Sequence, residues 1–380
     1  MVIAHSDEPL VVPAAGLRGR PRLEFTVNGQ RRRIDGRFSR PHWCCFPQFP
    51  AAAQVPPGRY AARLTAEGGG SADVALEVRP GAPGRRVLVP ARNGAAEPYT
   101  VLILANAVFA GPNGQLTRDP LAADQPRFGM IVAYILEDLL TLAEDVLALR
   151  EERGAVQFET FRDPGPAMIP AHAFATSVPD PTSARPKTQE LREFLRARGL
   201  KADVVYVVHG MTAHSRAWAF GALDDLRREK KRYELDGKLF DMGRFTESPG
   251  MVALCSNVDQ STPTALHEFG HAASDARTFV DDLYDNDGKG RPLINKRFRA
   301  LATDPLPPRF ATYEGRSFAS ATDRWPNKGY PPFTSYHAQR ATPQFPNLMD
   351  QYNVLGKRAC RFDLLTAQWF ADRLDFKTAR

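Results

Sequence analysis

Two histidines enclose a glutamate in the segment His267-Glu268-Phe269-Gly270-His271. On an α-helix, residues four positions apart lie on the same face, so the two imidazoles would face one point. Zinc accepts such a pair at about 2.0–2.1 Å from each nitrogen. Glu268 lies one residue round the helix, where its carboxylate can hold a water molecule beside the metal. These residue types at this spacing are typical of a zinc hydrolase.

The residues around this motif favour a helix that follows a strand. Ser261 or Thr262 can cap the helix through its hydroxyl group, and Pro263 is suited to the first turn. Residues 251–256 form an apolar run that is short enough for a strand. Gly270 lacks a side chain and would let another backbone approach the helix closely, although it costs about 0.5–1 kcal/mol relative to alanine.

Catalytic zinc usually has a third protein ligand, which the two histidines do not supply. We expect Asp282, eleven residues after His271, because it follows the predicted end of the helix and its carboxylate could fold back towards the metal. Asp281 is the next candidate, and spacing alone does not separate the two. The further candidates downstream are Asp275, Asp285, Glu314 and His337.

The composition of the chain argues against several classes of protein. The net charge is +7, but the 50 basic residues are scattered among 43 acidic ones, which predicts no nucleic-acid site. No apolar stretch approaches the ~18 residues of a membrane span, and residues 1–8 do not have the pattern of a signal peptide. We therefore expect a soluble protein without membrane or nucleic-acid partners, cytoplasmic as the sequence stands or secreted if a signal peptide has been removed.

Residues 1–95 are predicted to form a small all-β, sandwich-like domain. The segments 22–27, 59–65 and 72–78 alternate in polarity, as half-buried strands do, and an Asn-Gly pair at 28–29 predicts a hairpin turn. Cys44 and Cys45 are adjacent, without the spacing of a zinc site, so we expect them to be buried thiols. Residues 80–84 contain two prolines and two glycines and are predicted to begin a linker.

Residues 96–380 are predicted to form the catalytic domain, because strands and helices alternate from residue 100 onward. Buried strands are predicted over 100–105 and 202–209, and helices over 131–153 and 187–198. The strand over 251–256 then leads into the helix with the two histidines. This order of elements indicates an α/β or α+β domain.

The motif and the residues after it resemble the IgA-peptidase family, in the metzincin-like branch of the zinc peptidases. The resemblance rests on His-Glu-Phe-Gly-His at 267–271, on the Asp-Leu-Tyr segment that begins at Asp282, and on residues 347–352. It implies a zincin-like catalytic domain of α/β (α+β) class that follows a β-sandwich-like domain. It also implies that Met349 forms a methionine turn beneath the zinc and that Tyr352 stabilises the transition state.

Together these features predict a zinc-dependent metallopeptidase that acts on a peptide or protein substrate. Zinc would lower the pKa of a water molecule from about 15.7 to about 7. Glu268 would accept the proton as general base and deliver it to the leaving nitrogen. Tyr352, Tyr336 or His337 would donate a hydrogen bond to the carbonyl oxygen. The substrate would pair with the edge of the strand over 251–256.

Two other functions fit the same residues. A zinc amidohydrolase that cleaves a non-protein amide uses the same chemistry, but it would have a closed pocket in place of a groove. A non-catalytic binding protein could keep structural zinc on four protein ligands, although such a site has no need of Glu268. His209 and His214 lie at either end of a predicted loop and are candidates for binding substrate or a second metal.

Overall fold

A computed structural model describes most of the first 142 residues and several segments after them. The later segments are 156–162, 173–176, 184–210, 217–220, 249–273, 312–313 and 316–317. The interruptions within the first 142 residues are 6–7, 14–15, 41–42, 48, 50–54, 82–83, 92–97, 111–112 and 123. Among the residues described, no helix is long and apolar enough to cross a membrane.

Eight strands form two sheets in the N-terminal part of the chain. They are β1 (Val2–His5), β2 (Leu10–Pro13), β3 (Pro21–Val27), β4 (Gln30–Asp35), β5 (Phe38–Arg40), β6 (Trp43–Phe46), β7 (Gly58–Ala66) and β8 (Ser71–Arg79). The five-stranded sheet has the order β1-β8-β7-β3-β4, and the three-stranded sheet has the order β2-β6-β5. Neighbouring strands are antiparallel, except that β1 is parallel to β8.

The hairpin of β3 and β4 forms where the sequence predicts it. Asn28 and Gly29 have positive φ angles of 50° and 78°, as a two-residue type I′ turn requires. Val27 pairs with Gln30 directly beside the turn. Alternate side chains of β3 are buried, so the alternation of the sequence decides which face of this sheet meets the core.

A second, six-stranded sheet follows. It contains β9 (Gly84–Val89), β10 (Tyr99–Ala105), β13 (Val156–Arg162), β16 (Val204–His209), β17 (Ala217–Phe220) and β18 (Gly250–Cys255). The spatial order is β17-β18-β16-β10-β13-β9. The four central strands are parallel, and β17 and β9 at the two ends run antiparallel to their neighbours.

The remaining strands form short pairs. They are β11 (Val108–Ala110) with β12 (Leu116–Arg118), β14 (Ala175–Thr176) with β15 (Arg185–Pro186), and β19 (Thr312–Tyr313) with β20 (Arg316–Ser317).

The prediction that the strand over 251–256 forms an edge of its sheet is wrong. β18 lies between β16 and β17, and all six of its residues are buried. An unbroken apolar run is expected of a strand that is covered on both faces and lies inside a parallel sheet. The strand at this end of the sheet is β17, whose four residues pair with β18 on one side.

The strand β9 links the sheet to the N-terminal part of the chain. It precedes the predicted domain boundary near residue 95, but it pairs with β13 in the six-stranded sheet. A boundary within the predicted linker over 80–84 would keep all six strands in one unit. The division into residues 1–95 and 96–380 stays a prediction.

In the part of the chain that the structure describes, three α-helices flank the six-stranded sheet, namely α1 (Gln125–Glu137), α2 (Thr188–Ala197) and α3 (Thr264–Ala272). α1 begins six residues before its predicted start, because the Asp124 carboxylate accepts a hydrogen bond of 3.1 Å from the Arg127 amide and caps the helix. A π-helical turn over Asp138–Leu142 follows it. α2 ends just before Gly199, whose φ of 62° suits a helix terminus.

α1 and α3 lie on one face of the six-stranded sheet, and α2 lies on the other. Tyr206 and Leu254 share an apolar core with α1 and α3, whereas Val205 and Ala253 share another with α2. Cys45 of β6 packs in the same core as α1, while its neighbour Cys44 packs in the core of the N-terminal sheets. Both cysteines are free and buried, as the sequence indicates. α1 thus joins β6 to the sheet that supports α3.

We expect Gly250→Ala to displace the end of α3. A Cβ atom on Gly250 would lie 1.8 Å from the carbonyl oxygen of Ala272, and backbone atoms cannot yield as a flexible side chain can. The variant should lose more than about 3 kcal/mol of unfolding free energy, measured by urea denaturation.

Gly58→Ala is the matched control, because Gly58 also begins a strand. Its added Cβ would lie 3.3 Å from the Tyr60 hydroxyl, which is the end of a side chain that can move. This control should change stability by less than about 1 kcal/mol. A Gly250→Ala protein as stable as the wild type would contradict the close packing of α3 on β18.

Candidate metal centre

Helix α3 carries the two motif histidines on the side that faces away from the sheet. Ala265 and Phe269 lie in the core between the helix and the sheet, and Phe269 contacts the Tyr99 ring edge to face, with centroids 6.4 Å apart. His267 and His271 each follow one of these residues by two positions. At about 100° per residue, both imidazoles therefore lie on the opposite side of the helix.

The two imidazoles converge on one point. Their Nε2 atoms are 3.3 Å apart, and the ring planes are nearly perpendicular, at 87°. Two Zn–N bonds of about 2.0–2.1 Å at a tetrahedral angle separate the two nitrogens by about 3.3–3.4 Å. The observed spacing of His267 and His271 therefore fits a zinc ion held by both rings.

The motif is deeply buried. The exposed fraction is 1% for His267, 7% for Glu268 and 9% for His271. Burial, then the charge of Asp138 and then the charge of Glu268 hold the pKa of the Tyr206 phenol well above its usual range. Charges interact more strongly in such buried surroundings than in water, so a cation between the histidines would be attracted strongly by the Glu268 carboxylate.

The predicted cap of α3 is wrong. Pro263 occupies the N-cap position, and no side-chain hydrogen bond caps the helix there. The Thr262 hydroxyl instead donates to the carbonyl oxygen of Asp259 at 2.8 Å and lies 2.9 Å from the Thr264 hydroxyl. One N–H group of the first turn is satisfied by Tyr134 of α1, whose hydroxyl accepts a hydrogen bond of 3.2 Å from the Ala265 amide.

A second buried tyrosine holds the same turn. The Tyr206 hydroxyl donates to the carbonyl oxygen of Ala265 at 2.8 Å from below the helix. Neither Tyr134 nor Tyr206 was predicted to act near the metal. A signal was present in the strand over 204–208, where Tyr206 is the one side chain with a polar end among valines.

A polar cluster fixes the start of the loop between β16 and β17. The Gly210 amide donates to the Asp119 carboxylate at 3.0 Å, and the Asn106 side chain donates to the same carboxylate at 3.0 Å. Burial raises the pKa of Asp119 to about 6, against the opposing effect of these hydrogen bonds. This cluster was not predicted, because its members are far apart along the chain.

Several predicted site residues lie outside the described residues. Among the part of the chain that is described, no third histidine, cysteine or carboxylate joins His267 and His271 in a metal-binding group. The residues outside the description are the predicted third ligand, its alternatives and the residues predicted to assist catalysis. They are Asp275, Asp281, Asp282, Asp285, Glu314, Tyr336, His337, Met349 and Tyr352.

His209 lies on the other face of the sheet from helix α3, which we call the metal helix because it carries the two motif histidines. It is fully buried at the end of β16, and strand alternation puts it on the same face as Val205 and Val207, which pack towards α2. Its ring contacts Phe109 edge to face, with centroids 6.5 Å apart. Burial lowers the pKa of His209 to about 4. His214 lies outside the described residues.

The lowered pKa of His209 predicts acid sensitivity. Below the ordinary histidine pKa of about 6.5 the unfolded chain takes up a proton that folded His209 does not accept, so the free energy of unfolding falls as the pH drops, and this loss levels off at about pH 4, where folded His209 is protonated too. Between pH 7 and pH 5, wild type should lose about 2 kcal/mol more than His209→Gln in urea unfolding. His5→Gln serves as control and should behave like wild type. Equal pH dependence of wild type and His209→Gln would contradict the assignment.

Comparison with known proteins adds little to this geometry. No protein-family model matches the sequence. No curated protein matches it either. Among solved structures, a protein from Shewanella denitrificans OS-217, provisionally named carboxypeptidase A, aligns over 70% of this chain and 78% of its own. The identity is 12% and the TM-score is 0.20, so this likeness carries no argument, and the function must be inferred from the site.

Proposed function

We propose that the protein is a zinc-dependent metallopeptidase. The observation that supports this most directly is the pair of Nε2 atoms of His267 and His271, 3.3 Å apart on a buried helix, with Glu268 between them. A helix that merely packed in a core would have no need to turn two histidines to one point on the side away from its sheet. The carboxylate of Glu268 distinguishes a hydrolytic site from a purely structural one.

The chain would hold zinc through His267, His271 and a third ligand, for which we propose Asp282. When bound, zinc supplies a positive charge that polarises a water molecule and the carbonyl group of the substrate. The histidines must be neutral at Nε2 to bind it, which favours metal loading at neutral pH over acidic pH.

Glu268 would act as general base. Its carboxylate accepts a proton from the attacking water and then delivers this proton to the leaving nitrogen of the cleaved amide. Its burial keeps bulk water away from the carboxylate, so the proton stays within the site. Tyr352 is our proposed hydrogen-bond donor to the carbonyl oxygen of the substrate, and Met349 our proposed residue beneath the metal.

An extended peptide would bind along the outer edge of β17. Among the residues that the structure describes, this strand ends the six-stranded sheet, and its backbone pairs with β18. A sheet edge recognises main-chain groups that every peptide has, which favours a peptide substrate over a small amide. α3 packs against both β17 and β18, so a peptide on this edge would run beside the metal helix.

We further propose that the six-stranded sheet, α1 and α3 belong to a zincin-like catalytic domain of α/β (α+β) class. The support is the order of elements, in which the parallel strands β10, β13, β16 and β18 precede the helix with the histidines. The N-terminal sheets would form the smaller all-β unit.

Replacing Glu268 by glutamine tests the proposal. The variant keeps the shape of the side chain and both histidines, so it should bind one zinc per chain as wild type does. It should cleave an unbiased peptide library at least about 100-fold more slowly, because it cannot accept the proton. Metal content and cleavage rate are measured on the same samples.

Glu193→Gln is the matched control, since Glu193 is an exposed glutamate on α2, and it should keep wild-type activity. Cleavage by Glu268→Gln at the wild-type rate would exclude Glu268 as the base. If wild type and Glu268→Gln both bind zinc and neither cleaves peptides, the result would instead favour a non-peptide amide as substrate, or a structural zinc.

A further inference from the structure

Arg37 of the N-terminal sheets is held in a fixed position. Its amide donates to the carbonyl oxygen of Cys45 at 2.8 Å, and the amide of the preceding Gly36 donates to that of Pro21 at 2.7 Å. A Cβ atom on Gly36 would lie 2.5 Å from the Pro21 ring and 2.8 Å from the Cys45 oxygen. Only glycine fits at position 36, and its close contacts fix the backbone that leads to Arg37.

The side chain of Arg37 reaches from these sheets to the loop that precedes α3. Its Nε donates to the Glu137 carboxylate at the end of α1, and its Nη1 donates to the side-chain oxygen of Gln260, each at 2.5 Å. The guanidinium also lies over the ring of Tyr134, 5.8 Å from its centroid. The side chain is only 20% exposed, so these contacts are poorly screened by water.

Tyr134 continues this chain of contacts into α3. Its hydroxyl donates to the carbonyl oxygen of Thr262 at 2.8 Å and accepts from the Ala265 amide at 3.2 Å. Burial first, and then the charge of Asp138, hold the pKa of Tyr134 well above its usual range, so the hydroxyl stays protonated and able to donate.

The loop between β18 and α3 is therefore held along its length by three side chains from other elements. Arg127 of α1 donates to the side-chain oxygen of Asn257, Arg37 holds Gln260, and Tyr134 holds Thr262. We call Arg37, Arg127 and Tyr134 the bracket. Its three contacts are spread over six residues of a loop that leads directly into the motif.

We propose that the bracket positions the metal helix. Through Arg37, the N-terminal sheets thereby help to determine the geometry of the metal centre. His267 comes two residues after Ala265, so a shift of the first turn would move its Nε2 atom away from that of His271. Displacements of about 1 Å can cost about 100-fold in catalysis. The catalytic consequence rests on the proposed function, but the positioning itself does not.

Hydrogen exchange of the metal-free, full-length protein tests the positioning. Arg37→Met keeps the apolar stem and removes the guanidinium, and Tyr134→Phe removes only the hydroxyl. In both variants the amides of residues 264–272 should exchange at least about fivefold faster than in wild type, because each variant loses two hydrogen bonds and the loss of one is expected to give about this factor. Amides of β3 and β4 serve as an internal reference and should not change.

Two variants outside the bracket provide controls. Arg22→Met removes an arginine whose partner is the exposed Asp35, and Tyr60→Phe removes a hydroxyl that donates to Pro56. Both should leave exchange in residues 264–272 unchanged. Unchanged exchange there in both bracket variants, or an equal increase over the whole chain, would overturn the proposal.

Cobalt binding then separates positioning from mere stabilisation. With Co²⁺ in place of zinc, the visible spectrum reports the geometry of the ligands, and it should change in both bracket variants but in neither control. An unaltered spectrum in both bracket variants would overturn the link to the metal centre. A wild type that binds no Co²⁺ would count against the proposed function, and the exchange result would still decide whether the bracket holds α3.

Discussion

The start of helix α3 is buried, and its backbone groups must be satisfied by other parts of the chain. A helix leaves its first N–H groups without partners inside the helix, and Pro263 at the N-cap offers no side-chain acceptor. Tyr134 and Tyr206 bond the N–H and C=O groups of Ala265. Because those tyrosines belong to α1 and β16, the position of the metal helix depends on the packing of both.

The same burial determines what the site can do. The motif histidines and Glu268 lie inside the protein, and Asp138 at the end of α1 is fully buried. After burial itself, the charges of Asp138 and Glu268 raise the pKa of Tyr206. Negative charge in surroundings of low dielectric constant favours a cation in its neighbourhood. The converging Nε2 atoms offer such a cation two ligands. The spacing, the burial and the sign of the charge thus support the same chemistry.

Sequence alone was sufficient where a local pattern decides the structure. The i, i+4 histidines, the Asn28-Gly29 turn and the strand over 251–256 were predicted from neighbouring residues and are present. Sequence failed where a distant residue decides. The hydrogen bond to the first turn of α3 comes from Tyr134, about 130 residues away, and the inner position of β18 depends on its pairing with β17, more than 30 residues earlier in the chain. Spacing did not separate the candidates for the third ligand, because the chain after a helix can fold back in many ways that bring different carboxylates to the metal.

The central claim is that His267 and His271 bind one zinc ion between their Nε2 atoms. The most direct measurement is X-ray diffraction from crystals of the zinc-loaded protein, with data collected on both sides of the zinc absorption edge. We predict one anomalous peak that lies about 2.0–2.1 Å from both Nε2 atoms. A peak elsewhere in the chain, or no peak beside these two histidines in a fully loaded protein, would contradict the account.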